Sequence, residues 1–154
     1  MSLDCALREA IDVVRAKLPF HLVAIVLLPD HLHTVWELPD GDTDYSTRWR
    51  WIKTEFTRNY ASTSPGTDPR SASRRTRGEL AVWQRRFYEH TCRDDADVKR
   101  CVDYAHVNPL KHGLVERVRD WPWSTFHRYV RNGEYSLDWG RSEHWRDPIF
   151  RGFE

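Results

Sequence analysis

His31-Leu32-His33 is the stretch of this chain with the clearest capacity for chemistry. On an extended strand, residues i and i+2 point to the same face, about 7 Å apart along it, so two imidazole nitrogens can converge on one metal ion. A lone His-x-His is weak evidence, because exposed or hydrogen-bonded core histidines are common. Its context strengthens it. Pro29-Asp30 just before it is a turn dipeptide, with proline fixing the first corner. Apolar residues flank the pair, Leu22 to Leu28 on one side and Val35, Trp36 and Leu38 on the other. The pattern predicts strand, tight turn, strand over residues 22–28 and 31–38, with the histidines opening the second strand.

A second group falls on a predicted helix over residues 95–107. Val98, Cys101, Val102 and Ala105 recur at three- and four-residue spacing and mark its buried face. Pro109 disfavours helical geometry at Asn108, so the helix is expected to end there. At 100° per residue, Tyr104 and Asn108 lie about 40° apart beside the apolar stripe, which sets a phenol and an amide together at the helix edge. Taken alone, those two residues read more plainly as a half-buried tyrosine and an end cap.

Four segments together resemble a known family. They are Pro29-Asp30-His31-Leu32-His33, then Trp83-Gln84-Arg85-Arg86-Phe87-Tyr88-Glu89-His90, then the run from Asp103 through Tyr104, Asn108, Pro109, Lys111 and Gly113 to Val115, and finally Asp120-Trp121-Pro122-Trp123-Ser124-Thr125-Phe126-His127-Arg128-Tyr129. In content and order they resemble the REP-associated tyrosine transposases, which belong to the HUH single-tyrosine transposases (U being a hydrophobic residue). The resemblance runs from about Ala6 to Gly140, and several motifs in the family's order are far more specific than any one. It implies that His31 and His33 are the HUH metal ligands and that Tyr104 is the nucleophile. It also implies Asn108 as the third ligand, where related transposases carry Gln. His106 is the rival; on the wheel it lies about 160° from Tyr104 and across the apolar stripe from Asn108, so a regular helix aims it away. Family members usually carry another strand before their first helix, whereas Leu3, Leu7, Ala10, Ile11, Val14 and Leu18 form a helical stripe almost from Met1. We therefore expect an unusual, exposed edge on the hairpin, and with it a homodimer or a tendency to aggregate, or else a monomer in which the C-terminal region folds over the gap.

The family's fold is a ferredoxin-like antiparallel sheet with helices packed on one face, the HUH nuclease core. The pattern agrees with this α+β class. A first helix is followed by the strand pair, a polar connection over 39–43, and a helix opened by Asp44-Tyr45-Ser46 with Trp49, Ile52, Phe56 and Tyr60 on its inner face. A Ser-, Pro- and Arg-rich loop over 62–78, a strand over 80–90 and the Tyr104 helix complete the order. At 154 residues one domain is expected, with residues 114–154, which carry Trp121, Trp123, Trp139 and Trp145, wrapping it.

Net charge near +1 gives no global nucleic-acid signal, but its distribution does: Arg70, Arg74, Arg75, Arg77, Arg85 and Arg86 face a single acid, Glu79. A solvated loop is the bland alternative to phosphate contacts. Lys53 and Lys111 are phosphate candidates by position, as are Glu89 and His90 for support of the site, and a salt bridge is the plainer role for Lys53. Tyr88 is the rival nucleophile, and His21, His112, His127 and His144 are read as structural or exposed. Cys5, Cys92 and Cys101 are odd in number and lack C-x-x-C spacing, so they indicate neither a disulfide framework nor a zinc knuckle. No secretory signal is visible and the apolar run 18–29 is too short to span a bilayer, so a cytoplasmic protein without membrane contact is expected.

A phenol with an ordinary pKa of about 10 is roughly 0.1% ionised at neutral pH and needs help to attack a phosphodiester. A divalent ion on His31, His33 and an amide oxygen could polarise a non-bridging oxygen and draw charge from the phosphorus. Two imidazoles favour zinc or copper thermodynamically; phosphoryl-transfer practice and the resemblance favour Mg2+ or Mn2+. The expected activity is cleavage and strand transfer of single-stranded or REP-type hairpin DNA through a 5′-phosphotyrosine. A DNA-binding relative that does not cleave and a metal-dependent phosphodiesterase using water are the alternatives. The DNA sequence recognised and the general base are not legible.

Overall fold

The structure, a computed structural model, describes residues 2–63, 88–140, 146 and 148–150. The chain divides into two compact units, Met1–Phe20 with Leu38–Glu89, and His21–Glu37 with His90–Glu154.

In the first unit, helix α1 (Leu3–Lys17) packs against helix α2 (Tyr45–Thr63). The buried face of α1 is Ala6, Leu7, Ala10, Ile11 and Val14, largely the expected stripe, although Leu3 at its start is exposed. Asp44 opens α2 by accepting the Thr47 N–H at 3.0 Å, which satisfies one of the unpaired donors of a first turn. Ile52 and Phe56 are buried below it, Phe56 stacking on Tyr60 at 5.5 Å. Arg48 was not on the expected inner face, yet it is only 2% exposed. Its guanidinium donates to the carbonyls of Leu18 (3.3 Å), Pro19 (2.9 Å) and Asp44 (2.9 Å) and to the Asp42 carboxylate (2.6 Å). A buried charge persists only where its donors are matched, and here they fasten the exit of α1 to the entry of α2. The loop expected over 62–78 begins later, since Ser62 and Thr63 still belong to α2; its remainder lies outside the described residues. So does the strand expected over 80–90, save Tyr88, Glu89 and His90, which are not strand.

In the second unit, strands β1 (His21–Leu27) and β2 (Leu32–Glu37) form an antiparallel hairpin, with Val26 opposite His33 and Leu27 opposite Leu32. The turn closes through the Leu28 N–H on the His31 carbonyl at 2.8 Å. His31 therefore sits in the turn, one residue before the strand it was expected to open. Helix α3 (Asp95–Lys111) packs on both strands. Asp94 caps it, accepting the Asp97 N–H at 2.8 Å.

The expected stop at Asn108 is wrong: α3 runs through Pro109 to Lys111. Proline costs the helix the bond its N–H would make one turn back, but it does not end it. The stop is Gly113, whose φ of 67° is the left-handed conformation that glycine adopts without strain. The Gly113 N–H reaches the Leu110 carbonyl at 3.0 Å and the Leu114 N–H reaches the Pro109 carbonyl at 2.9 Å, a Schellman closure.

Beyond α3 come a 3-10 turn (Val118–Asp120), helix α4 (Phe126–Arg131) and a second turn (Pro148–Phe150). Val118, Phe126, Tyr135 and Phe150 pack with Tyr104, Val107 and Leu110 of α3. The Tyr135 hydroxyl donates to the Asp103 carboxylate, and the Tyr135 ring stacks between Tyr129 (5.3 Å) and Trp139 (4.3 Å). Within the second unit, then, the described C-terminal residues pack on α3; Trp145 lies outside the described residues. The same segment covers the outer edge of β1, against the expectation of an open edge there. Thr125 N–H donates to the Ile25 carbonyl and Leu27 N–H to the Trp123 carbonyl, each at 3.0 Å. Ile25 N–H donates to Thr125 Oγ1 at 3.0 Å, Trp121 Nε1 to the Leu27 carbonyl at 2.9 Å and the Tyr129 hydroxyl to the Val23 carbonyl at 3.0 Å. No described helix is long and apolar enough to cross a membrane.

Candidate active site

The start of β2 and the last two turns of α3 bring five side chains of the second unit together. The rings of His31 and His33 meet edge to face at 5.1 Å, and His33 meets Tyr104 in the same way at 5.6 Å. Their orientation is set by neighbours. Asp30 Oδ1 lies 2.6 Å from His31 Nδ1. A proton on that nitrogen, shared with the carboxylate, turns the Nε2 lone pair outward, and the same contact holds the Asp30 carboxyl below the usual carboxylate range. Asn108 donates its side-chain N–H to the Tyr104 carbonyl at 2.7 Å. That bond fixes which end of the amide is which, so Oδ1 faces the other way.

Two buried atoms here have no hydrogen-bond partner: His33 Nε2 and Asn108 Oδ1. Buried polar atoms are seldom left so. Burial, reinforced by the charge of His31, lowers the His33 pKa to about 4, although the nearby Asn108 side chain acts in the opposite direction. His33 is therefore neutral at physiological pH, the state in which an imidazole can donate a lone pair.

Tyr104 is buried rather than half-buried, at 8% exposure. Lys111, about two turns further along α3, places its ammonium 3.1 Å from the phenol oxygen and 5.1 Å from the ring centroid. A cation at that distance stabilises negative charge developing on the oxygen. His112, read from sequence as structural or exposed, stands at the rim with its ring 5.3 Å from His31. Its one signal was its place directly after Lys111, where the helix closure turns the chain back.

The other candidates have surroundings of their own. His106, the rival ligand, is fully buried among Tyr129 (4.9 Å), Tyr135 (5.5 Å) and Phe126 (6.1 Å), with Nε2 2.9 Å from Thr125 Oγ1. Burial lowers its pKa to about 3. Tyr88 is 64% exposed and Glu89 accepts from the Tyr45 hydroxyl. Lys53 belongs to the first unit, where burial pushes its ammonium down. His21 pairs with Glu37 at 3.4 Å, and His127 Nε2 lies 2.8 Å from the Trp121 carbonyl. Arg74, Arg75, Arg77, Arg85, Arg86 and His144 lie outside the described residues.

No family model matches the chain. Comparison with known proteins is more informative. A REP-associated tyrosine transposase of Escherichia coli strain K12 is 44% identical over 133 residues, spanning 86% of this chain and 70% of that protein. A Haemophilus influenzae protein described under the same family name is 45% identical over 122 residues, 79% of this chain and 68% of its own length. Among solved structures, a REP-associated tyrosine transposase bound to a REP hairpin superposes with a TM-score of 0.71 at 44% identity, covering 87% of this chain and 71% of the other. The α+β fold with its antiparallel sheet is that of the solved transposase. On this similarity, extending over more than two thirds of each relative, the chain belongs to the REP-associated tyrosine transposases.

Proposed function

We propose that this chain cleaves and rejoins single-stranded DNA next to REP-type hairpins, with Tyr104 as nucleophile and a divalent ion, Mg2+ or Mn2+, on His31, His33 and Asn108. The observation that carries this reading is the pair of buried, unpartnered acceptors, His33 Nε2 and Asn108 Oδ1, beside the Tyr104 ring. An orphaned imidazole nitrogen and amide oxygen are what a bound cation would satisfy, and His31, held by Asp30, adds a third donor. Mixed nitrogen and oxygen donors with room for water suit a hard ion in phosphoryl transfer. When bound, the ion supplies polarisation of a non-bridging phosphate oxygen.

The chain's own residues do the rest. Tyr104 Oη attacks the scissile phosphorus and forms a phosphotyrosine ester with the 5′ side of the cut. The bond to the 3′ oxygen breaks, and that oxygen leaves as a 3′-hydroxyl after taking up a proton, while the phenol proton passes to solvent. Lys111 offsets charge on the tyrosine oxygen during attack. Because the ester retains the energy of the broken bond, attack by another 3′-hydroxyl reverses the step and joins strands without ATP. The bound hairpin in the solved relative supports REP-type DNA as the substrate class.

The test is a labelled single strand carrying a REP hairpin with unpaired flanks, incubated with protein and Mn2+. An SDS-resistant protein–DNA adduct is expected, absent with chelator and absent in Tyr104→Phe. Cleavage without an adduct would overturn the nucleophile assignment in favour of activated water. Binding without cleavage at any metal concentration would leave a DNA-binding protein only.

A further inference from the structure

His90, Cys92 and Cys101 form a second potential ligand cluster in the same unit, built from residues that the proposed reaction does not use. One donor atom from each lies within 4.8 Å of the other two. The two sulfurs are 3.5 Å apart, close to the separation of about 3.8 Å that two thiolates adopt on a tetrahedral zinc with bonds of about 2.3 Å. His90 and Cys92 come from the segment that leads into α3, and Cys101 from α3 itself, so nothing in their sequence spacing announces the cluster.

The surroundings are those of a ligand set rather than a chance approach. Asp97 Oδ2 lies 2.9 Å from His90 Nε2. Asp97 is itself held in place, accepting from the Arg93 N–H at 3.1 Å and from the Arg100 guanidinium at 2.8 Å. A fixed carboxylate against a histidine is the arrangement that orients imidazoles toward metals. Both cysteines are only partly buried, which leaves an ion a path to the pair.

We propose that His90, Cys92 and Cys101 bind one thiophilic divalent ion, zinc, with water in the fourth position and Asp97 positioning His90. Binding releases both thiol protons to solvent and forms two zinc–thiolate bonds, with no change of oxidation state. Two sulfurs and one nitrogen select a soft ion over Mg2+ or Mn2+, so the two sites discriminate between metals. The ion would tie the segment entering α3 to the helix one turn before Tyr104, and so brace the element that carries the nucleophile.

Cobalt is the probe, since it takes zinc sites and reports sulfur ligation by colour. The full chain, reduced and freed of metal, is titrated with Co2+, then with Zn2+. One equivalent should bind with a thiolate-to-cobalt charge-transfer band, and zinc should displace it. The band should survive in His31→Ala/His33→Ala, which separates this site from the proposed catalytic one. It should vanish in Cys92→Ser and in Cys101→Ser. Should either serine variant fail to fold by circular dichroism, His90→Gln keeps both thiols and should weaken cobalt binding about tenfold or more. The proposal is overturned if the wild type shows no charge-transfer band or if His90→Gln binds cobalt as tightly as wild type. It is also overturned if protein purified in the presence of Zn2+ without reductant has lost two hydrogens from its intact mass, which would make the pair a disulfide.

Discussion

Tyr104 and Lys111 are separated by seven positions on one helix, which returns them to nearly the same face, and the ammonium sits 3.1 Å from the phenol oxygen. If that contact serves the attack on phosphorus, Lys111→Met should slow adduct formation by roughly a hundredfold, the scale of losing one charge-stabilising donor. Hairpin binding should change far less. A loss confined to affinity, with the rate of the bound complex unchanged, would make Lys111 a phosphate contact only. Tyr104→Phe is the sharper substitution. The ring packs with Val107, Leu110 and Phe150, and phenylalanine keeps that packing, so thermal stability should stay near wild type while the adduct disappears. An adduct persisting in Tyr104→Phe would move the nucleophile to another tyrosine, Tyr88 first. At this scale the sequence was informative because residue type and spacing carry chemistry directly. It was silent on His112, and on Cys92 beside Cys101, because those approaches depend on where a turn and a coil segment lead the chain.

Helix α3 carries most of the site, and its two ends are held by different devices. At the C-terminal end, Gly113 at φ 67° permits the closure that follows Pro109. Gly113→Ala would force a β-carbon into the left-handed region and should destabilise the fold by about 1 kcal/mol, measurable as a lower midpoint in urea. An unchanged midpoint would mean that the closure adds nothing. At the N-terminal end, Asp97 is buried against His90, Arg93 and Arg100. The hydrogen bond from His90, foremost, holds its carboxyl below the usual carboxylate range. Because the folded state takes up that proton less readily than the unfolded chain, the stabilisation is complete above the ordinary aspartate value of about 3.9 and is lost as pH falls below it. Asp97→Asn should therefore flatten the acid limb of the stability–pH profile, and a parallel limb in wild type and variant would refute the assignment. The start of α3 was legible from the apolar repeat. Its end was misplaced because Pro109 reads as the stop, although a proline costs the helix one hydrogen bond whereas Gly113 supplies a whole closing turn. Arg48 escaped notice for a related reason: an arginine becomes a core residue only where four oxygens from separate segments converge on it, and no local pattern encodes that convergence.

Over the whole chain, 24 basic side chains nearly balance 23 acidic ones, so the molecule has no general field to draw in a polyanion. On the proposed function, affinity for DNA would come from local clusters. Lys111 would contribute to one at the rim of the candidate site, and the sequence offers another in Arg74, Arg75 and Arg77, which lie outside the described residues. Each phosphate neutralised on a single strand adds about 0.7 to the slope of log affinity against log salt. If all three arginines engage, replacing them together with alanine should lower that slope by about 2. Anisotropy titrations of a labelled REP hairpin over a series of salt concentrations would read it. The metal arm of the experiment keeps two sources apart: Lys111→Met should reduce the slope by no more than one phosphate's share, with or without Mn2+. An unchanged slope in the triple variant would remove the arginine cluster from the DNA surface and place recognition on groups that read shape or stack bases. Exposed rings such as Trp123, 43% accessible and itself part of the segment that covers β1, would then be the next to replace, since base stacking of about 1–3 kcal/mol per base carries no salt dependence of its own.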